Sequence, residues 1–377
     1  MLRYIAPVIL FAILMLFIFD GISRNAKLES YQSVRREELL IQEILHKMKN
    51  NHMVQGRAIA LDGTTSSESQ SYALLMAVFS NDKKLFDETW FWTREHLQIR
   101  ADHLFAWRWS NGKIDDSNSA TDADQDIALA LYLASVRWNV PEYEVESREI
   151  VEDIWAFDTK LFLGKRYVIG GAEGFASAKD IVMNPSYFSP YAYRIFSKID
   201  KRHNWLSLVD SSYEILNRCV ASSGLFPDWC KLDSSGKIIR KFTLGEKRAD
   251  LDSYDAMRVP YRLALDYVLF KEPRAKILLE KNKIFAEELL EKDKISAAYE
   301  LNGEASGDDE NYARYGAELA RSLSLDSEMM VDILDKKIRK INLATRDNTY
   351  ELSWIYFGLH AYTKGWGFNE IIEIYID

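Results

Sequence analysis

Ala120-Thr121-Asp122-Ala123-Asp124-Gln125-Asp126-Ile127-Ala128-Leu129-Ala130-Leu131-Tyr132-Leu133-Ala134-Ser135-Val136-Arg137-Trp138 sets three carboxylates at alternating positions ahead of a helix that is apolar on most of its surface. Thr121 reads as the N-cap, and Asp122 and Asp124 fall in the first turn, where the helix dipole favours negative charge. Ile127, Ala130, Leu131, Ala134 and Trp138 form one stripe at helical spacing, and Leu129, Leu133 and Val136 form another. A helix with two apolar faces lies between layers, so its acids stand at the mouth of something enclosed. A calcium loop would need Gly at its sixth position and an acid at its twelfth. Those positions hold Ile127 and Leu133, which excludes that reading. Simple capping accounts for one acid, but not for the polar run Asp115-Asp116-Ser117-Asn118-Ser119 leading in.

Outward from this segment the chain reads as helices nearly throughout. Apolar periodicity predicts them near 30–50, 66–80, 82–99, 122–138, 142–158, 186–199, 203–221, 253–269, 273–291, 308–322, 325–341 and 348–363. Seventeen Gly and seven Pro in 377 residues are too few for a turn-rich β sandwich. Several helices are apolar all round, as an inner ring requires, so an all-α (α/α)6 toroid fits better than a bundle or a solenoid. Short strands are expected at Tyr167-Val168-Ile169-Gly170-Gly171 and Lys237-Ile238-Ile239-Arg240. A net charge of −9 argues against nucleic acid, whose phosphates need a basic face. The basic stretch from Lys237 to Arg248 is read as a solvated loop. The six His are scattered without ligand spacing, so no metal or other cofactor is expected. Ten Trp and twenty Tyr are enough to fill a core and still offer flat apolar faces to sugar rings.

The segment from Ala120 to Trp138 resembles the signature of glycoside hydrolase family 8, the inverting endoglucanases with chitosanase and xylanase relatives. The resemblance implies the (α/α)6 toroid and an endo-acting hydrolase of β-1,4-linked polysaccharide, cellulose or a related β-glucan first among them. Further segments carry it. Ser67-Glu68-Ser69-Gln70-Ser71-Tyr72 resembles the motif around the family's general acid, which implies that role for Glu68. Ser253-Tyr254-Asp255-Ala256-Met257-Arg258-Val259-Pro260-Tyr261-Arg262 is similar to the segment that supplies the general base, at Asp255. Arg258, three residues on, can hold Asp255 ionised and reach sugar hydroxyls. Asp122 is then the third carboxylate, which distorts the sugar at the cleavage point and stabilises the transition state. Asp124 and Asp126 are expected to support the loop and the helix cap.

Aromatic residues complete the expected cleft. Trp107 or Trp109 is a stacking platform with the other in the core, and Tyr187 and Tyr254 face substrate. Pro227-Asp228-Trp229 matches a family element and reads as loop structure. Two other classes fit less well. A glycan-binding scaffold that lost activity would be expected to lose one of the three carboxylates. A terpene cyclase would need a further acid at the right spacing after Asp115-Asp116, and none follows.

Ile5 to Phe19 is an uninterrupted apolar run behind Arg3. As a helix it would extend roughly 22 Å, short of the ~30 Å hydrocarbon core. A cleaved signal peptide ending near Gly21-Ile22-Ser23 and a short retained anchor both fit, and both export the rest. The expected division is residues 1–26 for export or anchoring and 27–377 for one catalytic domain, a monomer that is periplasmic, anchored in the inner membrane or secreted. An anchored glucanase without a carbohydrate-binding module is similar to those that accompany bacterial cellulose synthesis. After export, Cys219 and Cys230 could pair as a disulfide or remain two buried thiols.

Overall fold

The computed structural model describes residues 35–364. The chain divides into two compact units, Met1–Glu43 and Ile44–Asp377. The described part of the first is helical. The second holds all of the candidate site residues. The apolar run Ile5 to Phe19 and the expected boundary after residue 26 lie outside the described residues. Among the described residues, no helix is long and apolar enough to cross a membrane.

The second unit is mostly helical. Its described α-helices are α1 (Ser67–Phe79), α2 (Lys83–Leu97), α3 (Thr121–Trp138), α4 (Pro141–Phe157), α5 (Pro190–Ile199) and α6 (Trp205–Cys219), followed by α7 (Val259–Phe270), α8 (Pro273–Leu279), α9 (Ile284–Lys292), α10 (Tyr312–Ser324), α11 (Met329–Asp332) and α12 (Thr349–Lys364). Helix α3 is buried at every position from Thr121 to Ser135, as its two apolar stripes require. It stops at Asn139, which takes a left-handed conformation with φ 54° and donates its N–H to Ser135 O. Pro141 then opens α4 in its first turn, where the missing N–H costs nothing.

Helix α1 packs against α3, and α3 meets the Pro185–Tyr187 turn that leads into α5. Helix α5 packs on α7, α7 on α10, α10 on α12, and α12 returns to α1. Helices α10 and α12 approach closely because both carry glycine at the crossing. A Cβ on Gly316 would lie 2.0 Å from Trp354 O, and one on Gly358 would lie 2.3 Å from Gly316 O. Helices α2, α4, α6, α8 and α11 each pack against the preceding member of this inner series.

Several helices begin later or break sooner than periodicity predicts. Pro190 and Pro260 fix the starts of α5 and α7, because proline fits only the first turn. The residues ahead of each form short 3₁₀ turns instead, Pro185–Tyr187 and Ala256–Arg258. The helix expected over 273–291 is two, divided by a turn in which Asn282, ahead of the N-cap Lys283, accepts Ile284 N at 3.1 Å. After α11 the chain widens into a π-helix, Ile333–Lys337, whose pitch brings both Ile333 and Ile338 to the core.

The described residues also form two antiparallel sheets of three strands. One pairs Thr65–Ser66 with Arg108–Ser110 and that strand with Lys113–Asp116. The other joins Asp180–Met183, Cys230–Asp233 and Ile238–Ile239, with Met183 opposite Cys230. Tyr167 and Val168 belong to a hairpin strand, Lys165–Val168. Cys219, the last residue of α6, is disulfide-bonded to Cys230.

Candidate active site

The first turns of the inner helices converge on one guanidinium. Glu68 lies in the first turn of α1, whose start is fixed by a capping box. Ser69 N donates to Ser66 Oγ at 3.0 Å, and Ser66 N donates to Ser69 Oγ at 3.1 Å. Asp122 lies in the first turn of α3. Asp255 precedes the 3₁₀ turn Ala256–Arg258 that enters α7. Arg258, 1% exposed, donates Nη1 to Glu68 and to Asp122 at 2.7 Å, and Nη2 to Asp255 at 2.5 Å. The structure therefore brings together Glu68, Asp122, Asp255 and Arg258. Carboxylates at three helix starts also gain from the N-terminal partial charge of each helix.

Electrostatics separates the acids. Burial pushes the Glu68 carboxyl up to about 7, with Asp122 and Asp255 adding to the rise and Arg258 and Tyr72 opposing it. Burial also raises Asp255, against Arg258, the Trp229 indole and Asn184. Trp229 Nε1 donates to Asp255 Oδ2 at 3.1 Å. Asp255 thus has the larger set of donors to its charged form.

One turn deeper the arrangement repeats. Asp126, Arg262 and Tyr191 each lie four residues after Asp122, Arg258 and Tyr187. Arg262 holds Asp126 through two bonds of 2.5 and 2.7 Å and donates to Tyr191 Oη at 2.8 Å. Above it, Arg258 Cζ lies 5.5 Å from the Tyr187 ring centroid. Asp126 is thus a buried ion-pair partner and not part of a cap.

Asp124 accepts Phe105 N at 3.0 Å, so it braces the segment before Trp107 and not its own helix start. Its carboxyl is pushed well up by burial and by neighbouring Asp158, whose own carboxyl burial raises to about 7. Thr121 is not the N-cap. Ala120 holds that position, and Thr121 Oγ1 donates to Ile169 O at 2.7 Å, tying the acidic turn to the hairpin behind it.

The expected aromatic residues separate. Trp109 is packed, with the Arg57 guanidinium 4.0 Å from its ring centroid and Trp92 edge-on at 5.6 Å. Like Trp107, it is only half-buried. Trp107 is half-buried beside Glu68's helix, its carbonyl accepting Ser67 N at 3.0 Å. Tyr187 meets the edge of Trp229 at 5.5 Å. Tyr254 is 58% exposed, and its carbonyl accepts the Tyr350 hydroxyl. Tyr350, at the start of α12, is a site residue that sequence reasoning missed.

Asp228 and Trp229 are site residues too, although their segment reads as loop structure. The Asp228 carboxylate accepts Ser253 N at 3.0 Å and Ala256 N at 2.8 Å, and so fixes the backbone around Asp255. The chemistry-bearing neighbour is Trp229.

Residues 46–290 match the model of the glycosyl hydrolases family 8. Endoglucanase C of Ruminiclostridium cellulolyticum is 31% identical over 220 residues, 56% of this chain and 45% of that protein. An endoglucanase of Cellulomonas uda is 30% identical over 216 residues, 56% of this chain and 58% of that protein. The chain thus spans about half the length of the curated relatives it matches. The crystal structure of an endo-1,4-D-glucanase from Vibrio fischeri superposes with a TM-score of 0.77 at 26% identity, covering 85% of this chain and 94% of that one.

Proposed function

The chain belongs to glycosyl hydrolase family 8, and on that footing we propose an inverting, endo-acting hydrolase of a β-1,4-glucan, cellulose or a close relative. The observation that carries the proposal is the single guanidinium of Arg258 holding three carboxylates, those of Glu68, Asp122 and Asp255. Glu68, with its proton retained to about pH 7, protonates the departing glycosidic oxygen. Asp255, charged and bonded by Arg258 and Trp229, takes a proton from the water that attacks the opposite face. Asp122 spends Oδ2 on Arg258 and leaves Oδ1 without a protein partner, an acceptor for a sugar hydroxyl. Trp107, Tyr187 and Tyr254 supply apolar faces along the chain of sugars. The closed series of six inner helices, five of them with an outer helical neighbour among the described residues, supports the (α/α)6 toroid expected from the sequence.

The names of the relatives support a glucan over xylan or chitosan. We further propose that Ile5 to Phe19 exports the domain and retains it at the inner membrane. The catalytic reading is tested on soluble cellulose, mixed-linkage glucan, xylan and chitosan, with proton NMR of the first product. Reducing ends should rise fastest on a glucan, and the α-anomer should appear before mutarotation. A β-anomer as first product would overturn the roles given to Asp255 and Asp122.

A further inference from the structure

Asn184 and Trp229 occupy matching positions at the end of one strand ladder. Met183 pairs with Cys230 in antiparallel register, so the next residue on one strand and the preceding residue on the other stand across from each other. Both side chains turn to Asp255. Trp229 Nε1 donates to Oδ2 at 3.1 Å. Asn184 is 1% exposed, and its Oδ1 is fully engaged by Ser186 N at 3.0 Å and Ser186 Oγ at 2.7 Å. That orientation turns Nδ2 toward the Asp255 carboxylate, whose charge its N–H favours, without a formed hydrogen bond to it or to any other group. A buried amide donor left open in this way is costly unless it serves a charge.

The indole has little freedom to leave. Phe175 stacks on it at 5.5 Å with the rings 11° apart, and Tyr187 closes its edge. Gly170 lies beneath this stack, and a Cβ there would come within 2.7 Å of both Phe175 and Trp229. Cys230, the neighbour of Trp229, is bonded to Cys219 of α6, which ties the ladder end to a helix. Asn184 also caps the turn that carries Tyr187.

We propose that Asn184 and Trp229 are positioning residues that form a two-donor clamp on the general base Asp255, opposite the grip of Arg258. The proposal rests on Asp255 being the base. The clamp holds the carboxylate from the ladder side while Arg258 holds Oδ1 from the helix side, so the group cannot swing toward Glu68. Each N–H stabilises the ionised form, so removing one raises the pH at which the base becomes competent. The acidic limb of kcat/KM then moves upward, toward the limb set by Glu68, and the active window narrows.

The test uses Trp229→Phe, which keeps the stacked ring and removes only the N–H, and Asn184→Ala, with Asp255→Asn alongside. For W229F and N184A the acidic limb of kcat/KM should rise by about one pH unit, a roughly tenfold loss below it, with KM nearly unchanged. In a D255A background with azide supplied as the external nucleophile, adding W229F should cost nothing more, because the residue acts only through Asp255. An unmoved acidic limb in W229F, with D255N inactive, overturns the clamp and leaves the base assignment standing. A further loss from W229F in the azide reaction overturns it in favour of a general packing role. Near wild-type activity in D255N removes the base itself, and the clamp with it.

Discussion

Replacing Glu68 by Gln should abolish hydrolysis and also make the folded protein more stable at neutral and alkaline pH. Burial, more than any neighbour, carries this carboxyl from 4.5 to about 7 on folding. The unfolded chain ionises near the ordinary value, so between pH 4.5 and 7 the folded state binds the extra proton. Stability is therefore lost as pH rises through that window, and the full cost stands above about pH 7. At about 1.4 kcal/mol per unit the rise corresponds to ~3 kcal/mol. The side chain is 29% open to solvent, and screening lowers the expected cost to about 2 kcal/mol. Gln keeps the shape and cannot ionise, so E68Q should gain about 2 kcal/mol on the wild type between pH 4.5 and pH 8. Turnover should fall by several orders of magnitude with substrate binding retained. Urea unfolding of both proteins across pH 4.5–8.5, with a reducing-sugar assay on soluble glucan, reads both quantities. Parallel stability curves would mean that Glu68 ionises like a surface carboxylate, and would refute its role as a proton donor near neutral pH.

Arg262→Met should cost about 3–5 kcal/mol in thermal or urea unfolding, because it leaves the buried Asp126 carboxylate without its partner. A loss below about 1 kcal/mol would mean that the deeper layer is not holding α3 to α7. For the export proposal, fractionation should find intact-length protein with the inner membrane, and a shortened soluble form would contradict the anchor.

The grouping at the helix starts was legible because capping and apolar periodicity are local. Ser66, Glu68 and the buried run of α1 follow one another directly along the sequence, and so do the acids and stripes of α3. Asp255 and Arg258 could be linked for the same reason, three residues apart. What spacing could not convey was that the same guanidinium also holds Glu68 and Asp122, from helices far away in the chain. A signal for the deeper layer was present, since Asp126, Arg262 and Tyr191 repeat the upper three residues at i+4. Trp107 and Trp109 could not be told apart because nothing local distinguishes a ring facing a cleft from one packed on neighbours such as Arg57 and Trp92. Trp229 and Asn184 escaped because their meaning depends on the register between two strands, which neither strand declares alone.

The return of α12 to α1 has a consequence for how the molecule is made. Tyr356 Oη on α12 donates to Met76 O on α1 at 3.3 Å, across 280 residues of sequence. Such contacts are the slowest to gain, since the closure entropy of the whole intervening chain must be offset before they form. During synthesis α1 emerges early with most of its surface apolar and waits for its last neighbour. The growing chain therefore carries an adhesive helix for most of its length, and holdase chaperones should recognise that segment. The carboxyl proposed as the acid sits on that same waiting helix, so catalytic competence is acquired at the end of folding, when the ring shuts.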